Sequence, residues 1–445
     1  MLVELGDVQV SLGHPEEAEQ SYSEALTVVS ATDDRRRRAI VRGRIANTLV
    51  ARGVLEEALR IRREEEIPVY ERLGDERSLA ITRGEIADIL ELRGDLEEAL
   101  RIRREEQIPV YERLGDERSL AITRGKIADI LQLRGDPDEA LRIRREEEIP
   151  VYERLGDVRS LAITRGEIAD ILELRGDLEE ALRIRREEEI PVYERLGDVR
   201  SLAIARGKIA DILQVRGGLD EALRIRREEQ IPVYERLGDE RSLAIARGKI
   251  ADILQVRGDL DEALRIRREE EIPVYERLGD ERSLAITRGQ IADILQTRGK
   301  LDEALRIRRD EQIPAYERLG DERSLAIARG RIADILQARG ELDEALRIRR
   351  DEQIPVYERL GDVRSLAIAR GRIADILQAR GELDEALRIR RDEQIPVYER
   401  LGDERSLAIA RGRIADILQA RGDVHEALRM PAPATVDGGP SGGGE

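Results

Sequence analysis

The sequence predicts an all-α protein, an α-solenoid of tandem helix-turn-helix repeats, and three observations carry that prediction. Nine tyrosines, from Tyr70 through Tyr111 and Tyr152 to Tyr398, recur every 41 residues. Within each period the apolar residues keep helical spacing: Leu79, Ile86 and Leu90 fall on one stripe. Gly-Asp pairs, as at Gly94-Asp95 and Gly115-Asp116, punctuate the period where one helix would stop and the next begin. A chain of 445 residues would ordinarily suggest about three domains. In a repeat array, however, each unit buries its face only against its neighbours, so length does not count domains.

Residues 1–33 lie outside the 41-residue frame and read as a half or cap repeat. From Asp34, nine complete repeats are followed by a partial tenth ending at Met430. In the repeat Asp75 to Gly115, helix A carries a second stripe of small residues, Ala80, Gly84 and Ala87. A mid-helix Gly costs about 1 kcal/mol relative to Ala, so its recurrence implies that helix B approaches closely there. Gly94 is placed for a left-handed cap, and Asp95 with Glu98 reads as a capping box for helix B. At the same point of the next repeat Asp136 is followed by Pro137, which suits a first helical position. Helix B then carries Leu96, Ala99, Leu100 and Ile102, a polar stretch from Arg103 to Gln107, and finally Ile108, Val110, Tyr111 and Leu114. Pro109 lies well inside it, where proline costs about 3 kcal/mol in a regular helix. A kink, or a break into two helical pieces, is expected. The segment 431–445, rich in Pro and Gly, cannot bury apolar surface and is expected to be disordered.

Composition narrows the function. With 78 Lys+Arg against 95 Asp+Glu, the chain is too acidic to coat a polyanion along its whole length. It has no Cys and only two His, His14 and His425, which removes thiolate and imidazole chemistry. Phe and Trp are also absent, so any core is aliphatic. No catalytic, cofactor-binding or metal-binding residue stands out, and the expectation is a protein that is not an enzyme. The N-terminus shows no signal core and no apolar run is long enough to span a bilayer, which makes the cytoplasm the default location, with no membrane partner. Arg-Gly-Asp occurs five times, but always at the turn between helices, where it needs no adhesion role. Paired acids such as Glu105-Glu106 read as part of a solvated charge network, since adjacent helix residues do not face each other. Tyr111 and its equivalents read as core edges and not as platforms for stacking bases, and no nucleic-acid partner is expected.

The N-terminal segment Leu5-Gly6, Gly13, Ala18, Tyr22 and Ala25 resembles the tetratricopeptide repeat, a two-helix unit in which small and large residues interlock. Gln9 departs from it, standing where the family usually has a large apolar residue. The internal repeats keep the family's first half in Ile86-Ala87, Leu90, Gly94 and Ala99. They depart in helix B, where Arg103 and Glu106 replace the residue types at Tyr22 and Ala25, and they are similar to the longer repeat variants. The resemblance implies a right-handed superhelix whose inner groove is lined by helices A.

Three columns of helix A vary among otherwise near-identical repeats, beginning with Glu85, Glu91 and Leu92. With the Asp88 column, they match places where relatives contact peptides. The resemblance therefore implies a partner-binding face at Glu85, Asp88, Glu91 and Leu92; Lys126, Asp129, Gln132 and Leu133; Glu167, Asp170, Glu173 and Leu174; and Lys208 and Asp211. Its partner would be a protein or peptide, basic or amphipathic, docking toward the more acidic N-terminal half. The alternative for single residues is that Lys126 with Asp129, or Arg331 with Asp334, are solvated i,i+3 pairs. Two other readings stay open. Met1 opens inside an apparent helix A, which suits the sensory or regulatory fragment of a larger signalling protein; uncapped ends suit end-to-end self-association.

Overall fold

The computed structural model describes residues 1–32 and 34–427, so the expectation of a disordered tail falls outside the described residues. All described secondary structure is helical. Leu2–Ser11 and Pro15–Ser30 form the first helical pair. There the buried Gly6 lies under the Tyr22 ring, so closely that a Cβ would come within 2.5 Å of it, and the Tyr22 hydroxyl donates to Asp7 at 2.7 Å. Gln9, polar where an apolar residue is usual, accepts from Ser21 at 2.7 Å.

The repeats that follow share one construction. Helix A, Glu76–Arg93 in the second repeat, is capped by Asp75, whose Oδ1 accepts from the Ser78 N–H at 3.1 Å and whose Oδ2 accepts from the Ser78 hydroxyl at 2.9 Å. It ends at Gly94 in the left-handed conformation, φ 86°. The capping box expected at Asp95 is not made: its side chain accepts no cap hydrogen bond, because Arg93 holds it at 3.0 Å. Pro137 does occupy the first turn of its helix.

Helix B differs from expectation at its proline. It runs as an α-helix over Leu96–Arg101, as a π-helix over Ile102–Gln107 and as an α-helix again over Ile108–Leu114, without leaving helical geometry. The wide π-turn lets the Ile108 N–H reach back to the Arg103 carbonyl, and Pro109 then falls in a first turn, where its missing N–H costs little. The extra residue per turn also rotates Arg103 and Gln107 inward. Both are buried, Arg103 to 2% exposure, although the sequence reads as a polar stretch.

The core is aliphatic and spans neighbouring repeats: Ala80, Val110 and Tyr111 of one repeat pack with Leu120 of the next. The small stripe of helix A faces helix B as expected, with Gly84 against the side chain of Gln107 and Gly125 against that of Glu148. Repeats are also tied by ion pairs. Arg36 reaches the cap carboxylate Asp75 at 2.8 Å, Arg118 reaches Asp157 at 2.8 Å and Arg364 reaches Asp403 at 2.7 Å. A second series runs from Arg93 back to Glu56 at 3.0 Å and from Arg134 to Glu97 at 3.0 Å. The chain forms two compact units, Met1–Gly217 and the residues from Gly218 onward, each a stack of such repeats.

Candidate binding face

Between successive helices A lies a crevice floored by the π-helix of helix B. One, of about 260 Å³, runs from Ile81, Glu85 and Asp88 on one helix A to Ile122 and Lys126 on the next, with Arg103 and Gln107 beneath. The next, of about 200 Å³, holds Lys126, Asp129, Arg144, Glu148 and Glu167. Each crevice thus has a buried guanidinium for a floor and a half-exposed isoleucine on its rim. A buried Arg must be paired or it costs several kcal/mol, and this requirement decides what the surrounding acids do.

The carboxylates expected to face a partner are largely spent on these arginines. Glu85 accepts from Arg62 of the preceding repeat at 2.5 Å, and Asp88 from Arg103 of its own at 2.6 Å. Glu167 and Asp129 converge on Arg144, Glu167 at 2.6 Å. Asp170 pairs with Arg185 at 2.6 Å and with Lys208 at 2.9 Å. Lys126 is therefore not in a simple solvated pair: its Nζ is 3.9 Å from an Asp129 already held by Arg144. The same correction applies further on, where Asp334 accepts from the buried Arg349 at 2.5 Å and Arg331 forms no ion pair among the described residues. Glu91 and Glu173 are half-buried and form no ion pair among the described residues. Beside them Leu92 and Leu174 are 64% and 73% exposed, and Leu133 is 63% exposed next to the half-buried Gln132. Asp211 is half-buried. The paired acids Glu105 and Glu106 lie on the outside, Glu106 accepting from Arg101 at 2.8 Å.

Burial raises the carboxyl pKa values of Glu66, Glu85 and Glu148 against the pull of the adjacent arginine, and it pushes Glu167 up to about 7. Burial also raises Glu91 and Glu173, with Lys126 and Lys208 respectively pulling the other way.

Sequence reasoning did not find the π-helix residues beneath the crevice, although a signal exists. Where helix B carries Glu66, Glu148 or Glu271, the next helix A carries Thr82, Thr164 or Thr287, whose hydroxyls donate to those carboxylates at 3.1, 3.0 and 2.9 Å. Where it carries Gln312 or Gln353, the partner column holds Ala328 or Ala369, and the Gln Nε2 donates instead to a carbonyl, Ala285 or Ala326, at 3.2 and 3.1 Å. Seven of the nine junctions follow this pairing; Gln107 with Thr123 and Glu189 with Ala205 do not, and the Thr123 hydroxyl donates to the Ser119 carbonyl at 2.9 Å.

Residues 1–28 and residues 128–146 each match a family model of the tetratricopeptide repeat. No curated protein matches the chain in sequence. Among solved structures, a Signal Transduction ATPase with Numerous Domains carrying a tetratricopeptide repeat sensor, from Pyrococcus horikoshii, is similar over 89% of this chain and 55% of its own, at 14% identity and a TM-score of 0.50. The apo quorum sensor NprR from B. thuringiensis aligns over 76% of this chain and 96% of its own, at 15% identity and a TM-score of 0.48. A putative kinesin light chain with TPR-like repeats from Podosopora anserina aligns over 44% and 94%, at 17% identity and a TM-score of 0.37. At such identities the likeness concerns the fold alone. The two family matches, the interlocked Gly6 and Tyr22, and the recurring helix–turn–helix unit identify tetratricopeptide repeats at residues 1–28 and 128–146 within an array of similar helical pairs.

Proposed function

We propose that the chain is a non-enzymatic protein-interaction scaffold whose first compact unit takes a basic, amphipathic partner segment along helices A. One observation carries this reading: Leu92, Leu133 and Leu174 form an exposed apolar series, and the acids beside two of them, Glu91 and Glu173, form no direct ion pair among the described residues. Apolar anchors flanked by unspent carboxylates suit a segment presenting apolar and basic residues. Catalysis has little support, because the acids that could be imagined as proton donors, such as Glu85 and Glu106, are engaged with arginines.

The test must leave the buried arginines neutralised, so Glu85 and Glu167 are kept. Glu91→Lys with Glu173→Lys in the full chain should weaken binding of a synthetic Lys/Leu amphipathic peptide by about tenfold, and moderate salt should weaken it in the wild type. Unchanged affinity with unchanged salt response would show that this face is only solvated surface.

A further inference from the structure

Three junctions of the second compact unit keep the buried arginine and lose two of the anions found around its counterpart in the first. At Arg144 the guanidinium meets Glu148 at 3.0 Å and Glu167 at 2.6 Å, besides Asp129. At Arg349 the corresponding positions are Gln353, Arg372 and Asp334. Glutamine in place of Glu148 removes one negative charge, and arginine in place of Glu167 shifts the balance by two more. The same exchange occurs at Arg308, with Gln312 and Arg331, and at Arg390, with Gln394 and Arg413. Three successive junctions therefore set a second arginine beside a buried one.

Their counter-charge is thin. Among the described residues Arg308 forms an ion pair only with Asp293, at 2.5 Å, Arg349 only with Asp334, at 2.5 Å, and Arg390 only with Asp375. The outer arginines add little pairing: Arg331 forms no ion pair among the described residues, while Arg372 and Arg413 stand 3.9 and 3.8 Å from carboxylates one turn along their own helices. Burial, with the neighbouring Arg331, Arg372 or Arg413 acting in the same direction, depresses Arg308, Arg349 and Arg390 below the ordinary guanidinium range. Opposite-charge density is thus deficient at a built, repeated position. The rim also carries smaller residues than in the first unit, Ala338, Ala379 and Ala420 where Leu92 and its equivalents stood.

We propose that this face, from Asp293 to Asp416, binds an acidic polypeptide segment, setting carboxylates against the arginine pairs Arg308 with Arg331, Arg349 with Arg372 and Arg390 with Arg413. A peptide fits better than a nucleic acid for two reasons. The carboxylates Asp334 and Asp375 alternate with the arginines and would repel a continuous phosphate backbone. The tyrosines of these junctions, Tyr316, Tyr357 and Tyr398, are buried and offer no ring face to a base. The surface lies in a different unit from the one assigned above and does not depend on that reading.

Fluorescence anisotropy on the full chain tests it with three probes: a labelled Glu/Ser peptide, its Gln/Ser counterpart and a single-stranded DNA oligonucleotide. The Glu/Ser peptide should bind, the Gln/Ser peptide should not, and the combined variant Arg331→Gln, Arg372→Gln, Arg413→Gln should weaken binding by about tenfold or more. These arginines are exposed and crowd the buried ones, so the variant should melt no lower than the wild type. Glu91→Gln with Glu173→Gln should leave the acidic peptide's affinity unchanged, which separates this face from the first. The proposal is overturned if the Glu/Ser peptide does not bind, if the triple arginine variant binds it as the wild type does, or if the oligonucleotide binds more tightly with the same arginine dependence.

Discussion

Replacing Gly248 by alanine opposes two effects of known sign. Helix propensity alone favours the change by about 1 kcal/mol, since Gly248 sits inside a helix with ordinary dihedrals. In the structure, however, the new Cβ would lie 2.8 Å from Oε1 and 3.0 Å from Cδ of Glu271, which is buried and held. Glu271 accepts from Arg267 at 2.9 Å and from Thr287 at 2.9 Å, so moving it stretches one bond to a charged donor and loses another. Those losses cost about 2–4 kcal/mol for a carboxylate buried this far. The net expectation is destabilisation by about 1–3 kcal/mol. Gly412 supplies the internal comparison, because nothing lies within 4 Å of a Cβ built there. Gly412→Ala should stabilise its helix by up to about 1 kcal/mol. Hydrogen–deuterium exchange of the full chain reads both sites locally, which matters because a long array does not unfold as one unit. Faster exchange around 245–275 in Gly248→Ala and slower exchange around 405–420 in Gly412→Ala is the expected pair. If both substitutions slow exchange, the close contact between the two helices of a repeat is not what retains glycine there.

Asp116→Ala should destabilise the array by about 1–2 kcal/mol, since it removes the cap bond to the Ser119 N–H, whereas Asp95→Ala, which removes no cap bond, should cost less than about 0.5 kcal/mol by urea denaturation. Glu167 has its folded pKa raised to about 7 from an ordinary value of 4.5, so the folded state holds the extra proton between those values. Stability should therefore decline as pH rises across that window and level off above it, with a smaller decline in Glu167→Gln; an identical pH profile for the variant would remove Glu167 as the cause. Exposed inter-repeat pairs such as Arg93 with Glu56 contribute about 0.2–1 kcal/mol each and are screened by salt, so the melting temperature should fall between about 0.05 and 1 M NaCl. A flat salt response would assign the stacking to apolar burial alone.

Much of the fold is legible because the determining residues act locally. Asp75, three residues before Ser78, and Gly94, at the end of an apolar stripe, state where helix A begins and ends. Gly84 announces a close neighbour, which is the side chain of Gln107. Arg103 and Gln107 were not legible, because five consecutive polar residues read at 3.6 per turn as a solvent face. The π-turn changes that period, and Pro109 marks the disturbance without showing which way it turns the helix. The same limit governs the binding face. Glu85 looks like a free groove acid until Arg62, 23 residues earlier, arrives from another repeat, whereas Glu91 and Glu173 form no ion pair among the described residues.

The cap carboxylates have a directional consequence. Asp157 both starts its own helix A, by accepting from the Ser160 N–H at 3.1 Å, and receives Arg118 from the repeat made before it. During synthesis the guanidinium is therefore already in place when the aspartate leaves the ribosome, and the first turn of the new helix nucleates beside a waiting countercharge. Assembly of the stack is thereby vectorial: the repeat that has folded prepares the starting point of the one that follows.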